Sequence, residues 1–168
     1  MVLFITPLNL RTRQPLCRYQ PCEAGTYYSA DGEQCVVCRD NTYNAGTTNC
    51  TSCDEGKYII SDQASDHASA AQCSSCSVGT YLNDDNSCTI CPAGTYADTS
   101  GQTSCQICPY GKFLSHDGTN ASHHDSADDC TSCEAGKHLA DDGTDASLHD
   151  EESDCSICPS GKGSSDTS

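Results

Sequence analysis

The chain has no tryptophan, two phenylalanines and one methionine in 168 residues. Chains this short of large apolar side chains cannot offset their ordering entropy by burial alone, which excludes an ordinary packed core. Basic residues are scarce as well. Eight Lys and Arg stand against 24 Asp and Glu, for a formal net charge of −16 and a pI near 4.3. That balance argues against nucleic acid as a partner, because phosphates need a basic face. It argues against anionic lipid for the same reason. A solvated acidic surface is the plain reading of the charge, and cations or basic protein surfaces are compatible with it. No run approaches the ~20 apolar residues that span a bilayer, so no membrane insertion is expected within the chain.

The segment Met1-Val2-Leu3-Phe4-Ile5-Thr6-Pro7 begins like a signal peptide and then departs from one. Its apolar run is short, no basic stretch precedes it and no small-x-small site follows. Residues 1–16 hold no cysteine and carry Arg11 and Arg13. They read as a disordered linker or upstream remnant, with the true start expected further upstream.

What the chain has in abundance is cysteine, sixteen in all. That density belongs to small secreted modules whose core is too thin to hold them. One disulfide closing a loop of a dozen or so residues is worth roughly 3 kcal/mol. From Cys22 onward one phrase recurs: Cys, two residues, Gly, Thr or Lys, then usually an aromatic. Cys91-Pro92-Ala93-Gly94-Thr95-Tyr96 is its clearest copy, and further copies start at Cys22, Cys38, Cys53, Cys76, Cys108, Cys133 and Cys158. The last is incomplete. Residues 17–168 therefore read as a tandem array.

At one copy Asn41 stands in the Gly position. Asn is among the residues that best tolerate a left-handed backbone, so the position is expected to need φ > 0. The Thr-Tyr pair that follows is strand-like, and its aromatic can lie over a neighbouring disulfide. Loops of Asp, Asn, Ser and Gly separate the copies, and no helical period is present. The expected fold class is small and disulfide-rich: an elongated tandem array of short coil and β-hairpin modules with almost no helix.

Each loop ends on the first Cys of a Cys-x-x-Cys pair. Pairing within such a motif makes a tiny ring, typical of redox sites rather than staples. The array suggests that the second Cys of one motif closes on the first of the next. That gives Cys22–Cys35, Cys38–Cys50, Cys53–Cys73, Cys76–Cys88, Cys91–Cys105, Cys108–Cys130 and Cys133–Cys155. Spacing alone does not fix connectivity, and crossed pairing between successive motifs stays open. Cys17 and Cys158 are left over, so both ends look cut. In this scheme the motif is a seam, and a hinge, between staples.

Four loops are short and three are long. The long ones share a detail: Ala64-Ser65-Asp66-His67, Ala121-Ser122-His123-His124 and Ala146-Ser147-Leu148-His149 lie equally far from their closing cysteines. The stretches 108–132 and 133–157 look like a tandem duplication, and twelve of the 24 acidic residues fall between 110 and 155. His123, His124 and Asp125, or His149 and Asp150, could gather a transition metal; Asp141, Asp142 and Asp145 could suggest calcium. Neither group follows a spaced ligand code. The plain reading is flexible polar loops, with no metal or cofactor. No nucleophilic triad is assembled, and a thin core is a poor catalytic scaffold, so no enzyme is expected. Four-cysteine zinc sites overlap these spacings, but the motifs are evenly strung rather than paired off. Asn120-Ala121-Ser122 and Asn49-Cys50-Thr51 are glycosylation sequons. Asn49 precedes a stapled cysteine, where access is expected to be poorer.

Cys88-x-x-Cys91-Pro92-Ala93-Gly94-Thr95-Tyr96, a Ser/Gly loop, then Cys105-x-x-Cys108-Pro109 resembles the ephrin-receptor-like cysteine-rich repeat. That repeat belongs with the wider TNF-receptor-like and growth-factor-receptor-like modules. The resemblance runs over residues 22–163. Several copies lack the Pro, and His138 and Gly163 replace the aromatic. The resemblance implies an extracellular or cell-surface segment of a larger protein, a stalk or an adhesion or ligand-binding ectodomain. Its protein or glycan ligand is not legible. A kinase is not implied, since no phosphate loop or catalytic-loop signature is present. Two other functions fit less of the sequence: a cation- or ligand-binding receptor segment using the acidic loops 114–129 and 139–154, and an intracellular zinc-binding protein.

Overall fold

The computed structural model describes residues 21–30, 34–139, 141 and 143–160. The expectations for residues 1–16, Cys17, Asp142 and the end of the last copy lie outside them.

Among the described residues the chain forms seven antiparallel hairpins, each a sheet of two strands. Thr26–Tyr28 pairs with Cys35–Val37, Thr42–Tyr43 with Thr51–Ser52, and Lys57–Tyr58 with Ser74–Ser75. Thr80–Leu82 pairs with Cys88–Ile90, and Thr95–Tyr96 with Gln106–Ile107. Lys112–Phe113 pairs with Thr131–Ser132, and Lys137–His138 with Ser156–Ile157. Seven disulfides close them: Cys22–Cys35, Cys38–Cys50, Cys53–Cys73, Cys76–Cys88, Cys91–Cys105, Cys108–Cys130 and Cys133–Cys155. We number the stapled segments units 1 to 7 in chain order. Cys158 is unpaired and half-buried. No helix among the described residues is long and apolar enough to cross a membrane.

The anchor phrase explains the first strand. In unit 5 the Thr95 N–H and hydroxyl both donate to the Pro92 carbonyl, at 3.2 and 2.7 Å. Gly94 between them has φ +77°. This is a β-turn whose third residue needs positive φ, as in type II. Thr26, Thr42 and Thr80 repeat the double bond to the residue three before. Asn41 has φ +61°, as its place in the phrase requires.

The second strand holds the two residues inside each Cys-x-x-Cys. Val36 and Val37 pair with Tyr27 and Thr26 across the first hairpin. The seam is therefore a strand, and the hinge expected there is corrected. Its second cysteine is tied as well: Cys38 N–H donates to Gly25 O, Cys91 N–H to Gly79 O and Cys108 N–H to Gly94 O.

Successive units are joined by backbone. Gly25 N–H donates to Asn44 O, Asn41 N–H to Ile59 O, Gly79 N–H to Ala97 O and Gly94 N–H to Leu114 O, all at 2.7 to 2.9 Å. The core is a series of small clusters along this line. Tyr96 of unit 5 packs with Leu114 and the Cys108 and Cys130 sulfurs of unit 6. Phe113 of unit 6 packs with Leu139 and the Cys133–Cys155 staple of unit 7. Each aromatic thus covers the disulfide of the next unit.

Candidate functional site: the histidine-clamped loops

The three long loops are the longest between staples, and the structure corrects their expected flexibility. Each carries 3-10 turns, among them Ala64–His67, Ala121–His123 and Ala146–Leu148. At each turn's end a histidine is fully buried: His67, His124 and His149 all have 0% exposure. Buried polar side chains require partners. Here the partner is the preceding unit. Nδ1 of His67 lies 2.6 Å from Thr42 O, that of His124 2.9 Å from Thr95 O and that of His149 2.8 Å from Lys112 O. A carbonyl only accepts, so Nδ1 carries the proton in all three. The histidine carbonyls take a second bond from the same unit: Asn44 N–H to His67 O, Ala97 N–H to His124 O, Leu114 N–H to His149 O. Ring and main chain together clamp each long loop to the hairpin before it.

The loops also reach two units back. Ala121 O of unit 6 sits so close to Gly79 of unit 4 that a Cβ there would lie 2.1 Å from it. Ala146 O of unit 7 stands over Gly94 of unit 5 in the same way, at 2.4 Å. Gly25 meets Ala64 O, and Gly56 meets Gly101 O, under the same constraint. At Gly25, Gly56, Gly79 and Gly94 the recurring Gly therefore has two duties, a positive-φ turn and a bare face for a neighbour two units on.

The clamps differ at Nε2. That of His67 lies 2.8 Å from Ser61 O, so both of its ring nitrogens face carbonyls. That of His149 lies 3.0 Å from Asp141 Oδ2. The Asp141 carboxyl is held down to about 2, chiefly by the Asp145 N–H, with His149, Thr144 and Gly143 adding and desolvation opposing. His124 is different: its buried Nε2 has no hydrogen-bond partner.

The remaining sequence-predicted sites fall as follows. Asn120 is exposed and caps its turn, Oδ1 accepting from the Ser122 N–H and hydroxyl at 3.1 and 2.9 Å. Asn49 is exposed too, although it precedes a stapled cysteine, so the expected poorer access is corrected. Asp141 and Asp145 do not converge as a calcium site; their carboxylates accept N–H and O–H groups of their own loop. Asp125 and Asp150 are half-buried, and burial, then Asp154 and Glu151, pushes the Asp150 carboxyl up. The four-cysteine zinc alternative is corrected, because fourteen sulfurs are oxidised in pairs and offer no thiolates. An open depression of about 600 Å³ at the junction of units 2 and 3 is lined by Val37, Cys38, Arg39, Asp40, Ser61 and Asp62.

Sequence reasoning missed the histidine clamp. The signal was present: a His six residues before the closing cysteine in all three long loops, a constancy that solvent-facing loops do not need.

Hairpin, staple and clamp define a tandem disulfide-rich repeat protein. Residues 79–130, most of units 4 to 6, match the family described as tyrosine-protein kinase ephrin type A/B receptor-like. Over those residues the chain is similar to ephrin-receptor-like cysteine-rich repeats, a type typical of extracellular segments and usually non-catalytic. No curated protein matches the chain.

Proposed function

We propose that the chain is a non-enzymatic extracellular spacer and interaction segment of a larger surface or secreted protein, glycosylated at Asn120 and Asn49. One observation carries this reading. Every unit is stapled to itself, backbone hydrogen bonds join units 1 to 3 and units 4 to 7 in succession, and Asn41 Nδ2 donating to Asn86 Oδ1 with the close approach of Gly56 to Gly101 O ties the two runs together, so stiffness is built along the series. Seven staples call for an oxidising compartment. A spacer needs fixed length and little else, and a thin core held by disulfides supplies that.

The test is to pass the chain through a eukaryotic secretory pathway and count thiols after denaturation without reductant. Sixteen cysteines less the fourteen in disulfides leaves two to react. A majority of reactive thiols overturns the reading. Removing N-glycans enzymatically lowers the mass of the wild type, and Asn120→Gln removes part of that shift.

A second reading, a ligand-binding face on loops 114–129 and 139–154, draws on the clamps. Both loops are held firmly yet present exposed tips, with Leu148 45% exposed. A protein or glycan ligand fits such a surface, since fixed loops lose little entropy on binding.

A further inference from the structure

We propose that the long loop of unit 6 is a transition-metal site built on His124, His116 and His123. The starting observation is the orphaned nitrogen. His124 is fully buried, its Nδ1–H donates to Thr95 O, and its Nε2 has no hydrogen-bond partner. A buried acceptor without a partner is costly, so a site that leaves one calls for an explanation. The clamp fixes the tautomer that leaves a lone pair on Nε2. An imidazole oriented by an Nδ1–H to carbonyl bond is also how metal-ligating histidines are held.

The register of the duplicated loop points to the residue set opposite that nitrogen. In unit 7 the group on Nε2 of His149 is Asp141, eight residues before it. Eight residues before His124 stands His116. The His116 ring lies at 73° to that of His124 with centroids 6.4 Å apart, and at 36° to that of His123 with centroids 4.1 Å apart. Two imidazoles on one tetrahedral zinc, with Zn–N near 2.0–2.1 Å, have centroids ~5 Å apart. The observed spacings straddle that value. No three ligand side chains already converge on one point among the described residues. His116 and His123 are both exposed, however, and small rotations of their side chains complete the set around the fixed His124. Three imidazoles suit zinc or copper and leave one position for water or another ligand. Calcium, which takes oxygen ligands, is excluded by the same donor set.

The experiment is calorimetric titration of the full oxidised chain with zinc, after free thiols, Cys158 among them, are blocked by alkylation. The expected result is one zinc per chain and no calcium binding at this loop. His116→Ala and His123→Ala are surface changes that keep the clamp, so their unfolding midpoints without zinc stay at the wild-type value. Each should weaken zinc binding at least ~10-fold, the smallest loss that removing even an outer-shell partner brings. Zinc should also raise the unfolding midpoint of the wild type and not that of the double variant. No saturable zinc binding by the wild type, or undiminished binding by either single variant, overturns the proposal.

Discussion

Units 6 and 7 share 13 of 25 residues over 108–132 and 133–157, and their clamping histidines part company at one nitrogen. Both drive a histidine into the preceding hairpin, with Nδ1 at 2.9 Å from Thr95 O in one and 2.8 Å from Lys112 O in the other. On the far side of the ring, unit 7 offers the Asp141 carboxylate and unit 6 offers no acceptor. Duplication preserved the half of the ring that holds the array together. The half facing the unit's own loop was left to diverge. Structural and variable duties are thus divided between two nitrogens of one side chain.

The largest expected effect comes from blocking the place where each loop lands. Gly79→Ala puts a Cβ 2.1 Å from Ala121 O of unit 6, and Gly94→Ala puts one 2.4 Å from Ala146 O of unit 7. Each adds overpacking of ~1–3 kcal/mol to a left-handed backbone cost of ~1–2 kcal/mol. Gly136→Ala has the same positive φ and no atom within 4 Å, so it bears the backbone cost alone. Denaturant unfolding of the three variants checks this. Equal losses at Gly94 and Gly136 would break the two-units-back contact.

Next come the clamps themselves. His149→Ala removes a fully buried ring bonded at both nitrogens and should cost about 2–4 kcal/mol, within the range of broken buried networks. His124→Ala removes one bonded nitrogen and one orphan, and should cost less. Amide hydrogen exchange reads each site separately. Leu114 N–H, bonded to His149 O, should lose protection in the first variant, and Ala97 N–H, bonded to His124 O, in the second. Loss at both amides in either variant would mean that the two loops open together.

The hairpins were legible because their cause is local. A turn needing positive φ, a Thr to tie it and an aromatic all sit within six residues, and Asn41 standing in for Gly betrayed the backbone requirement. The contacts two units back were not legible. Gly94 facing Ala146 O depends on how three units stack, and no periodicity along one strand encodes that. The buried histidines were hidden by their company. Asp66, His123 and Asp150 beside them are polar, so the loops read as solvated. The burial of His67, His124 and His149 comes from carbonyls of another unit, a partner with no side-chain signature.

The smallest effect separates the two copies by acid. Asp141 is held down to about 2 from an ordinary 3.8, so it contributes stability above its unfolded value, and that contribution is lost as pH falls through about 2. The wild type should therefore exceed Asp141→Asn in unfolding midpoint at pH 5, by an amount that shrinks from about pH 4 and vanishes near pH 2. His116→Asp runs the converse test: it gives unit 6 the partner that unit 7 has. If position 116 faces Nε2 of His124 as position 141 faces that of His149, the variant gains stability at pH 5 and loses that gain over the same interval. A midpoint for His116→Asp that parallels the wild type from pH 5 to pH 2 would show that position 116 does not stand opposite Nε2 of His124.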